Sequence, residues 1–429
     1  MPDKVWLGID LGTSGCRLIA IDDSNQIVHQ TQSSFKSNQP YPVPPEQWQC
    51  VVELLRQCVA ALAGFDINAI AVDATSGSVM LCDVDGQPLT EMLLYNDTCA
   101  HLQSQQLKDI APADSGAHGS GSGLAKLLYL QQHHDLPENY YLTHQADWIS
   151  SQLTGKTGMT DYNNALKSGF DPQLMQWPDW LTALIPEKHL PNVVAPGTVI
   201  GEMPLALMRD LNLQQTTSPK IVAGTTDSLA AFIATGAHQI GDGVTSLGST
   251  LVLKLISNNA VFAPEFGIYS HKLGDHWLIG GASNSGGAVI RQFFSDSQIV
   301  ALTEQINLSQ SPPDYYPLPT IGERFPVADP NKSPQLTPRP ASDSLFLHGL
   351  LNAIANIEQQ AYAKLQQLCG TTLKSVRSVG GGAMNPVWTQ IRQQKLTVPF
   401  LPVFNTEAAY GTALLAKEGL QIFDEDNHG

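Results

Sequence analysis

Apolar and polar positions alternate in short blocks from the start of the chain. Val5 to Ile9 is apolar, Gly12 to Gly15 combines glycine with hydroxyls, and the residues after Arg17 are apolar again up to Ile21. A polar turn, Asp22-Asp23-Ser24-Asn25, leads to Ile27-Val28, so residues 4–30 predict a β-meander of three strands. The glycine turn joins strand to strand, whereas a P-loop or a dinucleotide fingerprint would open a helix there. Over 47–64 the period becomes helical: Trp48, Val51, Val52, Leu54, Leu55, Val59 and Leu62 share one face, and Gly64 is the stop. Ala69 to Ala74 and Val79 to Val84 read as buried strands, the second closed by Asp85-Gly86. Strands, a helix and further strands predict a mixed sheet in an α/β domain. Residues 115–123 (SGAHGSGSG) read as a flexible loop, with helices over 124–135 and 144–153.

A second series begins at Ile221-Val222-Ala223, a buried strand that runs through Gly224-Thr225-Thr226-Asp227 into a helix over 228–235 stopped by Gly236. Then "LGSTLVLKLI" echoes the opening "LGTSGCRLIAI": apolar strand, glycine–hydroxyl turn, apolar strand. The echo predicts an internal duplication with one such hairpin per domain. Nine prolines within 312–340 exclude a helix or central strand and predict an extended surface excursion. A long helix over 345–368 follows, then a strand over 376–379, a tight turn at Gly380–Gly382, and a helix opened by Asn385-Pro386 that runs through Lys395.

Composition narrows the function. A chain of 429 residues predicts two to three domains. A net charge of −16 argues against a nucleic-acid partner, which would need a basic face. It leaves phosphate ligands open, because clustered backbone N–H groups bind anions whatever the total charge. Cys16, Cys50, Cys58, Cys82, Cys99 and Cys369 form no C-x-x-C pair, so neither a disulfide framework nor a zinc site is expected. Without a signal-like start or an apolar run of the ~20 residues a membrane helix needs, the expectation is a soluble, cytoplasmic protein with no membrane partner.

Two carboxylates and a glycine run carry the candidate chemistry. Asp10 ends an apolar strand beside the turn. It is either a solvated acid that starts a hairpin or a carboxylate that holds Mg²⁺, directly or through water, next to a phosphate. In the second case Gly12, Thr13, Ser14 and Gly15 bring N–H groups and hydroxyls to the phosphate oxygens. Asp227 opens a helix. It is either a cap or a general base that takes the proton of a hydroxyl attacking a γ-phosphate. Gly380–Gly382 is either a tight connection or a place where a flat ring or a phosphate approaches the backbone near a helix N-terminus. His348, on an apolar helix, reads as a packed histidine.

Taken together these stretches resemble the FGGY carbohydrate kinases. "GIDLGTSGCR" is similar to the family's first phosphate motif, and "DWISSQLTGKTGMTDYNNA" to its LTG…TDxSNA segment. "AGTTDSLAAFIATGA" resembles the catalytic-Asp segment, "SLGST" the second phosphate turn and "PLPTIGERFPVADPN" the P-Y-x-x-G-E-R-x-P segment. "VGGGAMNPVWTQI" resembles the adenosine motif and "EAAYGTALLA" the closing helix. The resemblance implies an α/β fold of duplicated ribonuclease H-like (actin/hexokinase-like) domains with an interdomain active-site cleft. Residues 1–232, completed by the helix 407–425, would be the sugar-binding domain, and 233–406 the nucleotide-binding domain.

It also implies an ATP-dependent kinase with Mg²⁺, whose partners are ATP and a small sugar or polyol. Asp227 is then the catalytic base, and Asp10 and Asp227 the metal ligands. Asp10, Ser14, Gly15, Cys16, Arg17, Ser76 and Asp227 would meet the sugar. Gly12, Thr13, Gly248, Ser249, Gly381, Gly382, Ala383 and Asn385 would meet ATP. Two departures stand out. Where longer xylulose kinases carry Met-His, this chain has Ala74-Thr75-Ser76-Gly77, and the W-x-D-x-R stretch is Leu94-Tyr95-Asn96-Asp97-Thr98. With its short length, this resembles the compact cyanobacterial and plant D-ribulose/D-xylulose kinases. The implied acceptor is a ketopentose, foremost D-ribulose at its terminal hydroxyl, with D-xylulose or another polyol as the alternative. An ATPase or sugar sensor of the same fold is the alternative from another class.

Overall fold

The computed structural model of the chain describes residues 3–35, 43–119 and 121–423. It divides into two compact units, Met1–Gly236 with Asn405–Gly429, and Ala237–Phe404. In the first unit, β1 (Asp3–Leu11), β2 (Gly15–Ile21) and β3 (Ile27–Ser34) form the antiparallel meander, and β4 (Phe65–Ala74) lies parallel to β1. Strands Lys220–Val222 and Val199–Glu202 extend the sheet beyond β4, and the short strand Thr225–Thr226 also pairs with β4. β3 runs well past Ile27-Val28; its later residues are polar and half exposed, as suits the edge of a sheet, so hydrophobic patterning does not mark them.

Side chains alternate across this sheet. Leu7, Ile9 and Leu11 of β1, with Cys16 and Leu18 of β2, are buried in one cluster with Val51, Leu54, Leu55 and Cys58 of the helix Pro44–Ala61. That helix starts three residues earlier than expected, on a proline pair preset for a first turn. Gly8 points to the other face, where the helix Ala408–Glu418 lies directly on the backbone: a Cβ on Gly8 would sit 2.0 Å from the Ala409 carbonyl oxygen. The same helix meets the helix Asp227–Ala234 through Gly411, whose Cβ would sit 1.9 Å from the Ala230 carbonyl oxygen. After Glu418 a 3₁₀ turn continues to Phe423, and residues 424–425 of the expected closing helix lie outside the described residues.

Two smaller expectations change. Val79–Cys82 pairs with Tyr141–His144 in a separate ribbon instead of joining the main sheet. The loop over 115–123, of which residue 120 lies outside the described residues, ends at Ser122, which caps the helix Gly123–His133 by accepting the Ala125 N–H.

The second unit repeats the first's wiring. Asp242–Leu247, Leu251–Ser257 and His276–Ser283 are antiparallel neighbours, and Ser375–Val379 lies parallel to Asp242–Leu247. The sequence echo is therefore an echo of topology. Helix Asp343–Cys369 covers this sheet with Phe346, Leu350 and Ile354. The proline-rich stretch corrects an expectation. It has no regular element, but it is not confined to the surface: Leu318 and Phe325 are fully buried, and Phe325 packs so close to Gly281 that a Cβ there would lie 2.5 Å from the ring. Its polar backbone is satisfied in pieces. Tyr316 and Gln335 exchange N–H···O bonds at 2.9 and 3.0 Å, and the buried Glu323 carboxylate accepts from Ser283 Oγ and the Asn284 N–H, each at 2.7 Å. Among the described residues no helix is long and apolar enough to cross a membrane.

The Gly8 contact yields a direct test. Gly8→Ala forces the closing helix off the sheet and lowers stability by about 1–3 kcal/mol in urea unfolding. Gly12→Ala, whose Cβ would have its nearest neighbour at 3.7 Å, leaves the urea midpoint close to wild type.

Candidate active site

Strand register builds the first half of the site. Asp10 lies opposite Arg17 of β2 and opposite Asp73 of β4, and Asp73 lies opposite Thr225. Directly opposed residues share a face, so Arg17, Asp10, Asp73 and Thr225 form one row across the sheet. The row faces the closing helix, whose Thr412 hydroxyl donates a short hydrogen bond to Asp73 Oδ2. Beyond the row opens a pocket of about 630 Å³, whose wall includes Asp10, Gly12, Thr13, Ser76, Lys167 and Asp227. Arg17 Nη1 stands 3.6 Å from Asp10 Oδ2, and its Nε 3.7 Å from Glu407 Oε2, just ahead of the closing helix.

Asp73 is the residue that sequence reasoning missed. It reads there as one position in an apolar strand, yet it is a fully buried carboxyl. Burial pushes its pKa well up, and the neighbouring Asp10 and Asp227 charges add to the rise. Asp10 is also raised, by burial first, and the adjacent Asp73 and the Arg17 guanidinium hold that rise in check. Two adjacent carboxyls cannot both ionise cheaply, so Asp73 holds the proton and Asp10 carries the charge. The signal was present as an acid inside an unbroken strand, but its meaning needs the β1–β4 register.

Asp227 is the first residue of its helix, and Thr226 occupies the N-cap position, so the carboxylate is not the cap. It accepts the Ser228 N–H at 2.6 Å and remains half-buried on the pocket wall. Ser76 Oγ is buried with no hydrogen-bond partner among the described residues and lies on the same wall. Three other expected sugar contacts do not reach this pocket. Ser14 is exposed, and its carbonyl accepts the Phe35 N–H. Gly15 lies against the Ser33 backbone, 2.3 Å from where its Cβ would be. Cys16 falls on the opposite face from Arg17 and is buried in the core beside Cys50. The two-residue strand period separates them: with Arg17 toward the pocket, Cys16 must face the helix Pro44–Ala61.

The second unit holds a cavity of about 400 Å³, walled by Leu247, Ile290, Trp388, Gly248 and the Gly381-Gly382 turn. Gly382 must be glycine, since a Cβ would lie 2.5 Å from the Trp388 ring. The Gly248 turn is held by Gly287, whose N–H donates to the Gly248 carbonyl at 2.9 Å. Asn385 lines the cavity, but its side chain is already engaged. Oδ1 accepts the Trp388 N–H at 2.9 Å as a helix cap, and Nδ2 donates to Thr303 Oγ1 at 2.9 Å. Ser249 and Ala383 are not on the cavity wall: Ser249 is exposed, and Ala383 packs against the core. Below this surface, Arg392 and Glu358 form a fully buried pair at 2.6 and 2.7 Å, and Thr245 Oγ1 and Ser378 Oγ complete its hydrogen bonds.

Among the described residues no three His, Cys, Asp or Glu side chains are grouped to cage a metal ion. Mg²⁺ needs no such cage, because it binds through one or two carboxylates, water and substrate phosphates. Asp10 and Asp227, on one pocket wall, fit that demand.

Comparison with known proteins then decides the family. Residues 5–234 match the N-terminal domain of the FGGY family of carbohydrate kinases. The chain belongs to this family. It is therefore an ATP-dependent carbohydrate kinase of the two-domain actin/hexokinase-like fold. Its relatives include a xylulose kinase of Staphylococcus epidermidis, 23% identical over 99% of this chain and 89% of the relative. An apulose kinase of Pectobacterium atrosepticum is 24% identical over 97% of this chain and 89% of the relative. A solved glycerol kinase of Plasmodium falciparum with ADP aligns with a TM-score of 0.83 at 18% identity, covering 98% of this chain and 90% of that one.

The Asp10–Asp73 pair makes a pH prediction for the kinase. The folded pKa of Asp73 stands above its unfolded value near 3.9. The protonated carboxyl therefore contributes stability that is complete in acid and is lost as pH rises through the folded value. Asp73→Asn keeps the shape without the titration, so its thermal midpoint falls less with rising pH than that of the wild type. A difference between the two proteins that stays constant across a pH series would contradict the assignment.

Proposed function

We propose that the kinase phosphorylates a ketopentose, D-ribulose at its terminal hydroxyl, giving D-ribulose 5-phosphate. One observation carries this reading: Asp227 shares a pocket with Lys167 and with Ser76, whose buried Oγ has no hydrogen-bond partner among the described residues. The first unit is then the sugar-binding domain and the second the nucleotide-binding domain. The relatives named xylulose kinase favour D-xylulose as the second acceptor.

The chemistry follows from the residues. Asp227 takes the proton of the sugar hydroxyl as its oxygen attacks the γ-phosphorus. Asp10, kept ionised by Asp73 and Arg17, accepts hydrogen bonds from the sugar and fixes its orientation. The Gly12 and Thr13 turn offers N–H and hydroxyl donors to phosphate oxygens. In the second unit, Gly248, Gly381 and Gly382 let the nucleotide approach the backbone, and Leu247 and Trp388 give its base an apolar wall. Asn385 serves by holding its turn. Asp10 and Asp227 would hold Mg²⁺, which neutralises phosphate charge when bound.

ADP release with Mg·ATP is the test, over D-ribulose, L-ribulose, D-xylulose, glycerol and no sugar. Strong stimulation by D-ribulose is expected. Release that ignores sugar would mean an ATPase. Asp227→Ala should lower sugar-stimulated release by about 10²–10⁴ with unchanged melting, the usual worth of a general base. Near-normal turnover would return Asp227 to a helix-start role.

A further inference from the structure

Lys126 is buried completely in the first unit, on the helix Gly123–His133. No carboxylate ion-pairs with it directly among the described residues. Its Nζ instead donates to two backbone carbonyls, Gly77 at 2.7 Å and Leu94 at 2.5 Å. Burial lowers its pKa to about 8, and the Asp97 charge opposes the fall. A buried ammonium is costly, so a chain that keeps one there is using its donors.

The two carbonyls belong to the two loops that shape the acceptor pocket. Gly77 follows Ser76, and Leu94 precedes Tyr95, and both Ser76 and Tyr95 stand on the pocket wall. A second tie joins the same loops: the Tyr95 N–H donates to Ser78 Oγ at 2.9 Å, and Ser78 Oγ pairs with Thr75 Oγ1 at 2.6 Å. The Ser76 turn is also packed tightly on its other side. Gly77 has φ +85°, and a Cβ there would lie 2.6 Å from the Gly121 carbonyl oxygen. The lysine's own helix is anchored to a third wall residue, because the Gly123 N–H and Ser122 Oγ both donate to the Lys167 carbonyl, at 3.0 and 3.1 Å. Lys167 in turn reaches the Ser76 carbonyl with Nζ at 3.4 Å.

We infer that Lys126 is a positioning residue that sets which sugar this kinase accepts, by clamping the Ser76 turn and the Tyr95 loop into one fixed wall. The inference rests on the reading of this pocket as the acceptor site. Lys126 touches no substrate. It acts through the placement of Ser76, Tyr95 and Lys167, and one misplaced hydroxyl partner is enough to change discrimination between close sugars. Methionine keeps an unbranched chain of similar bulk but removes the donor that joins the two carbonyls. Among the described residues Leu94 then keeps only the Asp97 N–H, at 3.0 Å, and the Gly77 carbonyl loses the Lys126 donor, so the loops would separate.

The experiment compares wild type, Lys126→Met and Ser78→Ala in sugar-stimulated ADP release across the ketopentose and glycerol panel, with binding of a fluorescent ATP analogue and thermal melting alongside. For Lys126→Met the expected result is a sugar KM raised by at least about tenfold, with the preference for the best ketopentose over glycerol flattened. Affinity for the ATP analogue should stay within about twofold, because its cavity lies in the other unit. Ser78→Ala, which cuts the second tie, should move the same two quantities in the same direction by less, and it decides the matter if Lys126→Met does not melt cooperatively. A folded variant with unmoved KM and unmoved preference overturns the inference. A wild type that no sugar stimulates overturns the acceptor-site reading itself, and the clamp with it.

Discussion

The closing helix rests on the first unit's sheet backbone to backbone, and the Asp10–Asp73 pocket depends on that contact. Gly8 and Gly411 have no side chains to keep the helix away from β1 and from the Asp227 helix. At that distance Thr412 reaches Asp73, and Glu407, at the start of the same helix, reaches Arg17. Residues near the end of the chain thus support Arg17 and Asp73, both from its first quarter. A bulkier residue at either glycine would lift the helix and leave a buried carboxyl without its hydroxyl donor.

Burial of charge is handled differently in the two units. In the first, Asp73 avoids the cost by keeping its proton, which lets the adjacent Asp10 remain the charged member. Lys126 keeps its donors occupied with carbonyls. In the second, Arg392 and Glu358 are both charged and both fully buried, and a bidentate geometry with two hydroxyl partners offsets their desolvation. That pair ties the helix Asp343–Cys369 to the helix that follows the Gly381-Gly382 turn, so it bears on the shape of the second unit's cavity.

Much of this was legible in the residue pattern. The meander, the glycine turn between its first two strands, the long helix and the Asn385-Pro386 helix start all follow from local periodicity and capping, and the structure places them within a few residues. The echo of the first hairpin near residue 247 correctly announced a repeated topology, because each copy must solve the same local turn problem. Cys16 shows the limit of motif reasoning. It lies inside a stretch similar to a phosphate motif, yet the strand's alternation turns it into the core, and a motif's letters do not say which way each side chain points.

The sequence by itself determined the elements, their order, the duplication and the acids at strand and helix ends, since all of these depend on neighbours a few positions away. Only the tertiary structure decided which distant residues became partners. Asp73 acquired meaning from the β1–β4 register, Lys126 from the meeting of two loops, and the proline-rich stretch from the apolar space it fills beside Gly281. Periodicity reports which face of an element is buried. It carries no information about what lies against that face, and the protonation, clamping and packing of this site are all properties of what lies against it.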